Sequence, residues 1–326
     1  MKSLQINATV EYIDTRNIEI GFRVYYAVLG FSSLTSNFLL LFLVIKKSPK
    51  SFSDYRILLA NTCINQMFAV LNSYFMHQRV LVSFDSMALL PIGPCRYFGP
   101  LACFVSYNLY NGFQWNASVS ILLSMHFRRS LIKMKLVDRR KMLQNLLIGY
   151  AVFVNLMAHP EYSLEKYGPI GGFVSISDII YTMNTTLLFG SCCLMPILIF
   201  YWRFDVLKVL NDANSSFSER TKQSSRLMIH ALTFQALLPM TCYVPNVFYF
   251  LTSTTAGGSI TFMEYVIVAL CSFPCLADPI FTIYFVAPFR AWVTRHLLRQ
   301  KPSNFDRPPP SVTVTVFRQH SRIHSN

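Results

Sequence analysis

Asp278 is the only acidic residue set well inside one of the long apolar stretches of this chain, and Pro279 follows it directly. A carboxyl in such surroundings needs a partner or a proton, because an ionisable group facing hydrocarbon is costly and turns toward another polar group or a cavity. The proline removes a backbone donor, kinks its helix and releases a carbonyl. Asn37 in the first apolar stretch and Asn61, Asn65 or Gln66 in the second are the candidate companions. Asn37, Asn61, Asn65, Asp278 and Pro279 are therefore expected to form a polar switch network, with plain helix-to-helix glue as the alternative. Further along, Asn108, Asn111, Trp115, Ser118 and Leu122 recur at i, i+3, i+7, i+10 and i+14 and share one helical face. Asn108, Asn111 and Trp115, with Asn184 and Tyr243 from later stretches, are the candidate lining of a ligand pocket, although interhelical packing would use the same residues. Pro196, Pro239 and Pro245 bend the helices that would surround it.

Catalytic chemistry is not indicated. The chain has no HExxH, no GxSxG, no glycine loop for phosphate and no paired carboxylates at depth. Its seven His are scattered. No enzyme activity, metal site or cofactor is expected.

The elements that must position these residues are seven apolar stretches: Val24 to Ile45, Ile57 to His77, Pro100 to His126, Met142 to Ala158, Ile179 to Trp202, Leu227 to Leu251 and Tyr265 to Val286. Each approaches or exceeds the ~20 residues a helix needs to cross a ~30 Å hydrocarbon core, the fourth being the shortest. The expected fold is an all-α membrane protein, a seven-transmembrane helix bundle. Of the 29 Lys and Arg, 23 fall in alternate connections and in the segment after the last stretch. The positive-inside rule then puts the amino terminus outside and the carboxyl terminus in the cytoplasm. A net charge of +14 would suggest nucleic acid in a soluble chain, but 53% hydrophobic with 13% charged residues is membrane composition, so the basic charge reports topology and a bilayer partner.

Residues 1–23 are expected as an extracellular tail, 24–286 as the bundle, 287–300 as an amphipathic helix on the membrane surface and 301–326 as a disordered cytoplasmic tail. In the amphipathic stretch Phe289, Trp292, Val293 and Leu297 take one face and Arg290, Arg295 and Arg299 the other. Asn7-Ala8-Thr9 is a glycosylation sequon in the outer tail. Six of the eight Cys lie inside apolar stretches, as packing residues. Cys95 and Cys103 could pair if Gly99 and Pro100 turn the chain, and two free thiols fit equally well. At the cytoplasmic end of the third stretch stand His126-Phe127-Arg128-Arg129, with Arg128 and Arg129 the candidate contacts for a signalling partner.

Several segments resemble nematode class delta serpentine receptors (Srd). They are Gln78-Arg79-Val80; Gly93-Pro94-Cys95-Arg96-Tyr97-Phe98-Gly99-Pro100 leading to Cys103; Ala231-Leu232-Thr233-Phe234-Gln235-Ala236-Leu237-Leu238-Pro239; and Asp278-Pro279-Ile280-Phe281-Thr282-Ile283-Tyr284-Phe285-Val286 followed by Pro288-Phe289-Arg290. The resemblance covers about residues 20 to 300. It implies a rhodopsin-like bundle in the plasma membrane of sensory neurons, in their cilia, that detects a small odorant or pheromone-like molecule and signals through a heterotrimeric G protein. The chain departs from many rhodopsin-like receptors in lacking an acid before Arg128, which leaves that arginine no adjacent ionic lock, and in having Asp278-Pro279 where Asn-Pro is familiar. A channel or transporter is the alternative. The absence of an internal repeat and the outward amino terminus weigh against it, and a non-signalling scaffold is the third class.

Overall fold

The computed structural model describes residues 2–48, 53–82, 87–133, 139–157, 171–173, 179–211, 219–256, 261–297 and 299; within them, the side chains of 2–15 and 151–193 in particular are not described. The helices are α1 Lys2–Lys46, α2 Ser53–Met76, α3 Pro100–Ile132, α4 Arg139–Met157, α5 Ile179–Asn211, α6 Glu219–Ala256, α7 Thr261–Ser272, α8 Pro274–Phe285 and α9 Ala287–His296. Six spans correspond to α1 to α6, and the seventh is broken into α7 and α8. Two helices begin where the apolar pattern begins, at Pro100 and Ile179, and Pro100 suits a first turn because its missing N–H is one that no helix uses. Most helices overrun their apolar spans, because polar residues in the interface continue the backbone hydrogen bonding. The longest overrun is α1, which reaches back to Lys2. Asn7 lies on that turn of helix, with its side chain outside the described residues.

α1 shows how the bundle faces its solvent. Val24, Val28, Phe31, Phe38, Phe42 and Ile45 are exposed along one face, while Tyr26, Leu29, Ser33, Asn37, Leu40 and Val44 are buried on the other. An exposed stripe of that length and hydrophobicity belongs in lipid. Among the described residues, Arg16–Lys46, Ser225–Ser253 and Thr261–Phe285 are long and apolar enough by themselves to cross a membrane. Lipid tails are as apolar as leucine, so close packing and interhelical hydrogen bonds, rather than a hydrophobic drive, hold such helices together. At the end carrying most of the basic residues, Leu43, Leu58, Phe127, Met142, Leu146 and Phe289 bring together α1 to α4 and α9. Ile121, Met125, Ile199, Val206, Ile229 and Leu232 join α3, α5 and α6.

The opposite end is closed by strands that the apolar pattern did not announce. β1 Gln78–Val82 and β2 Met87–Pro91 form an antiparallel hairpin, with Val80 opposite Leu89, and β3 Gly171–Phe173 adds to its second strand. Val80 and Leu89 pack onto Val268 of α7. The turn into β1 is made at His77, whose φ of 39° ends α2. Its ring sits between Tyr26 and Tyr74, at 4.2 and 5.5 Å between centroids. Gly93 brings the chain back against that helix end, its N–H donating to the Met76 carbonyl at 2.9 Å, and any Cβ there would lie 2.4 Å from the Phe75 carbonyl oxygen. A 3-10 turn at Pro94–Phe98 follows, and a Cys95–Cys103 disulfide with Cα atoms 5.1 Å apart ties it to α3. Of the two arrangements open to those cysteines, the bridge is the one formed.

Asp278 is not the only acid buried in the helices. Glu264, in the first turn of α7 and 2% exposed, pairs with Arg79 of β1 at 2.5 Å, and the same guanidinium lies 5.2 Å from the centroid of the Tyr265 ring. An expected start at Tyr265 had left Glu264 just outside the span, and its helix begins three residues earlier. At the other end α9 is less a surface helix than expected. Phe289 is buried in the bundle, Trp292 meets Phe42 of α1 edge-on at 5.5 Å, and Leu297 lies past the helix end, exposed.

Removing one member of a buried ion pair strands the other, at a cost of about 3 kcal/mol, whereas replacing both by apolar residues is far milder. Arg79→Met and Glu264→Leu are each expected to lower the thermal midpoint of the protein in lipid nanodiscs, and the double variant to lose less than the sum. Additive losses would show that hairpin and helix are not coupled through this pair.

Candidate functional site

Helix seven carries the irregularities around which the polar residues gather. Pro279 has no N–H for the Cys275 carbonyl, and Asn37 of α1 supplies one in its place, Nδ2 donating to that oxygen at 2.9 Å. The break at Phe273–Pro274 leaves the Cys271 carbonyl to a second side-chain amide, Nε2 of Gln114 on α3, at 3.1 Å. Ser73 of α2 and Ser272 share a hydrogen bond of 2.7 Å at the same break. The bend is thus held by neighbours on three helices, as a broken helix in lipid must be, since its freed carbonyls have no water to turn to.

One turn further on, Asp278 Oδ2 accepts a 2.5 Å hydrogen bond from Nε2 of Gln66 on α2. Gln235 of α6 donates to the Thr282 hydroxyl at 2.8 Å, and Thr282 donates to the Asp278 carbonyl at 2.9 Å. A cavity of about 10 Å³, room for roughly one water, is lined here by Thr62, Gln66, Ser124, Gln235, Asp278 and Thr282, among others. Asp278 therefore gathers α2, α6 and α8. Asn61 and Asn65, expected beside it, go elsewhere. Asn61 Nδ2 donates to Ser120 of α3 at 2.6 Å, and the Tyr150 hydroxyl of α4 lies 3.0 Å from Asn61 Oδ1 and 2.9 Å from Asn65 Nδ2. Those two residues lie on a different face of α2 from Gln66, and the sequence marked only their depth. Gln114 was not among the candidates, although it is an amide in an apolar stretch, which was the available signal, and Gln235 was legible as the amide of the sixth stretch but not as a neighbour of Asp278.

Asn111 and Trp115 fall in the half of α3 nearer the hairpin. Asn111 is buried, and neither its Nδ2 nor the Trp115 Nε1 has a hydrogen-bond partner among the described residues. Tyr243 is buried in α6. Asn108 shares their face, and one N–H of its amide goes to the Phe104 carbonyl of its own helix, at 3.0 Å. The side chain of Asn184 lies outside the described residues. On α6, Asn246, Tyr249 and Ser253 recur at i, i+3 and i+7; all three are buried, and Asn246 Oδ1, Tyr249 OH and Ser253 Oγ lack partners among the described residues. Of these, Tyr249 was legible as one of the aromatics of the sixth stretch, and Asn246 and Ser253 were not.

At the basic end Arg128 is 7% exposed and its guanidinium lies 4.3 Å from the centroid of the Tyr55 ring of α2. Arg129 and Lys133 both reach Asp205 of α5, at 2.6 and 2.5 Å. No adjacent ionic lock had been expected for Arg128, whose guanidinium lies against Tyr55, and the ion pair to α5 is made by its neighbour Arg129. Hydrogen bonds from Lys133 and Arg129 hold the Asp205 carboxyl below its usual range. A lowered folded-state pKa means that this clamp contributes fully above the ordinary carboxylate range and is lost only as pH falls through the lowered value. Neutral pH leaves it intact.

Asp278→Leu strands the Gln66 amide in the interior, a loss of about 1–3 kcal/mol, while Asp278→Asn keeps an acceptor. The leucine variant is expected to reach the cell surface poorly in epitope staining and the asparagine variant to do so nearly normally. Equal delivery of both would show that the bundle does not need this contact.

Known proteins share both this sequence and this architecture. The family described as "Serpentine type 7TM GPCR chemoreceptor Srd" matches residues 22–158 and 154–295. Serpentine receptor class delta-59 of Caenorhabditis elegans is 26% identical over 86% of this chain and 92% of its own. Class delta-51 is 26% identical over 95% and 97%, and class delta-33 is 29% identical over 79% and 81%, both from the same organism. A crystal structure of squid rhodopsin superposes with a TM-score of 0.66 over 87% of this chain and 86% of that one, at 12% identity, so the fold is shared where the sequence is not. The helices, the break in the seventh and the family match together make this chain a member of the Srd serpentine chemoreceptors, a family of seven-transmembrane membrane receptors and not of enzymes.

Proposed function

We propose that this protein detects a small odorant or pheromone-like molecule from outside the cell and signals through a heterotrimeric G protein at its cytoplasmic face. In this reading residues 1–23 and the hairpin face outward, and the basic end with the tail 301–326 faces inward, in the ciliary plasma membrane of a sensory neuron. The observation that carries it is the make-up of α3. One continuous helix holds Asn111 and Trp115, with buried donors that lack partners among the described residues, in its hairpin-side half, and Arg128 and Arg129 in its basic end. A ligand that prefers one placement of α3 against α6 and α7 shifts the bundle toward it, and the shift is read where α3 meets α5 at Asp205. Arg128 and the clamp at Asp205 are engaged within the bundle here, so a G-protein helix would have to recruit them by separating α3 from its neighbours. Charge complementarity at such a face governs encounter and register more than raw affinity.

The test is calcium or cAMP imaging of cells carrying the receptor, against an odorant panel, with and without G-protein signalling. Responses that need both receptor and G protein support the reading; responses that persist without G protein point to a channel. An epitope at the amino terminus is expected to stain intact cells and one after Arg322 only permeabilised cells, with the reverse pattern sinking the receptor orientation. Arg128→Ala, at normal surface level, is expected to reduce the evoked signal, and Arg322→Ala to leave it unchanged. A fully active Arg128→Ala receptor would reduce Arg128 to an anchor of its helix.

A further inference from the structure

We infer that the ligand of this receptor is an uncharged, oxygen-bearing small molecule that both accepts and donates hydrogen bonds, held in the seam between α3, α6 and α7; this rests on the receptor reading above. The seam can be followed along the bundle. In the basic half, Leu122 and Met125 of α3 face Leu232 and Ala236 of α6 in one apolar cluster. Moved outward by whole heptads, the α3 stripe passes from Leu122 to Trp115 and from Met125 through Ser118 to Asn111. The α6 stripe passes from Leu232 to Asn246 and Ser253. The same facing surfaces that are apolar in one half are thus polar in the other. Their depths agree, since Asn246 Nδ2 lies 2.9 Å from the Cys271 sulfur and Gln114, between Asn111 and Trp115, reaches the Cys271 carbonyl.

The atoms without partners among the described residues along this seam are of two kinds. Asn111 Nδ2 and Trp115 Nε1 on α3 can only donate, whereas Asn246 Oδ1 on α6 accepts and the Tyr249 and Ser253 hydroxyls do either. Buried groups of this kind are normally paired. A ligand oxygen toward α3 and a ligand hydroxyl toward α6 would pair them. Apart from Asp278, which lies two turns deeper on α8 and is held by Gln66, the helices offer a charged ligand no counterpart. From Pro100 to Met125, from Ile179 to Trp202 and from Ala231 to Ala256 the chain has no Asp, Glu, Lys, Arg or His. On α7, Glu264 is already paired with Arg79. An amine or a carboxylate would enter this seam without a counter-ion, at a prohibitive desolvation cost.

The experiment uses the full chain in lipid nanodiscs and matched alkane, ketone, alcohol, hydroxyketone, amine and carboxylate probes in butyl, hexyl, octyl and decyl lengths, reading the thermal midpoint. The expected result is a rise with one or more neutral oxygenated probes, greatest for the hydroxyketone of that length, and none with the matching amine, carboxylate or alkane. Trp115→Phe, which keeps the ring and removes the N–H, and Asn111→Leu are each expected to weaken apparent affinity about tenfold. Stabilisation by an amine or carboxylate in preference to its neutral counterparts would overturn the proposal, as would no shift with any neutral probe, or unchanged affinity in both variants. A neutral probe that binds as expected yet never activates a G protein supports the seam and refutes the receptor reading. A charged probe that evokes G-protein signalling does the opposite.

Discussion

A helix crossing lipid cannot leave a carbonyl unpaired, and helix seven of this protein has proline at two places that break its ladder. Each break is made good by a side-chain amide from elsewhere: Asn37 on α1 at the Cys275 carbonyl, Gln114 on α3 at the Cys271 carbonyl. These bonds fix more than the bend. They tie the first and third helices to the seventh at two depths, and the Gln66 contact to Asp278 adds the second helix between them. Interhelical hydrogen bonds in membranes average only about 0.6 kcal/mol each. A set of weak bonds at a bent helix is stable enough to define one arrangement and cheap enough to exchange for another, which is what a switching bundle requires.

Asymmetry along the bundle axis follows from the same economy of polar groups. In the basic half the α3–α5–α6 seam is close-packed with Met125, Ile199, Val206 and Leu232, and a packed apolar seam has few alternative arrangements. In the other half its continuation on α3 and α6 is amide, indole and hydroxyl. In the proposed reading that half would take the guest and the apolar half would pass a displacement on as a packed unit.

Much of this was legible in the chain. Hydrophobic length gave the seven helices, and the apolar pattern marked Pro100 and Ile179 as starts because both stand at a sharp change from polar connection to apolar stretch. Asp278 with Pro279 was legible as a bend in need of partners. Which partners was not, because depth is encoded by residue number whereas rotation about each helix axis is set by packing. Gln66 and Asn65 are adjacent in sequence and turn to different neighbours. The hairpin was missed for another reason: Gln78 to Val82 is too short for a periodic signal, and the hairpin is held in place by β3 and by Glu264, both remote in sequence. Asp205 was passed over because an acid in a basic connection reads as a solvated charge until α5 is seen to run on as helix to Asn211.

The ion pairs sit at the two ends of the bundle and divide its labour. Arg79 with Glu264 fastens the hairpin to the seventh helix, and Asp205 with Arg129 and Lys133 fastens the fifth to the third. Between them the described acidic and basic side chains of the spans reduce to Asp278, hydrogen-bonded to Gln66, and to histidines near the span ends. Charge pairs are strong where water is scarce and are therefore placed where a whole element must be held or released at once. The neutral amides lie in the interior, where smaller differences suffice to favour one helix placement over another. A bundle arranged this way is held at its ends by charge and joined across its middle by hydrogen bonds between uncharged groups, which is the setting the proposed uncharged ligand would enter.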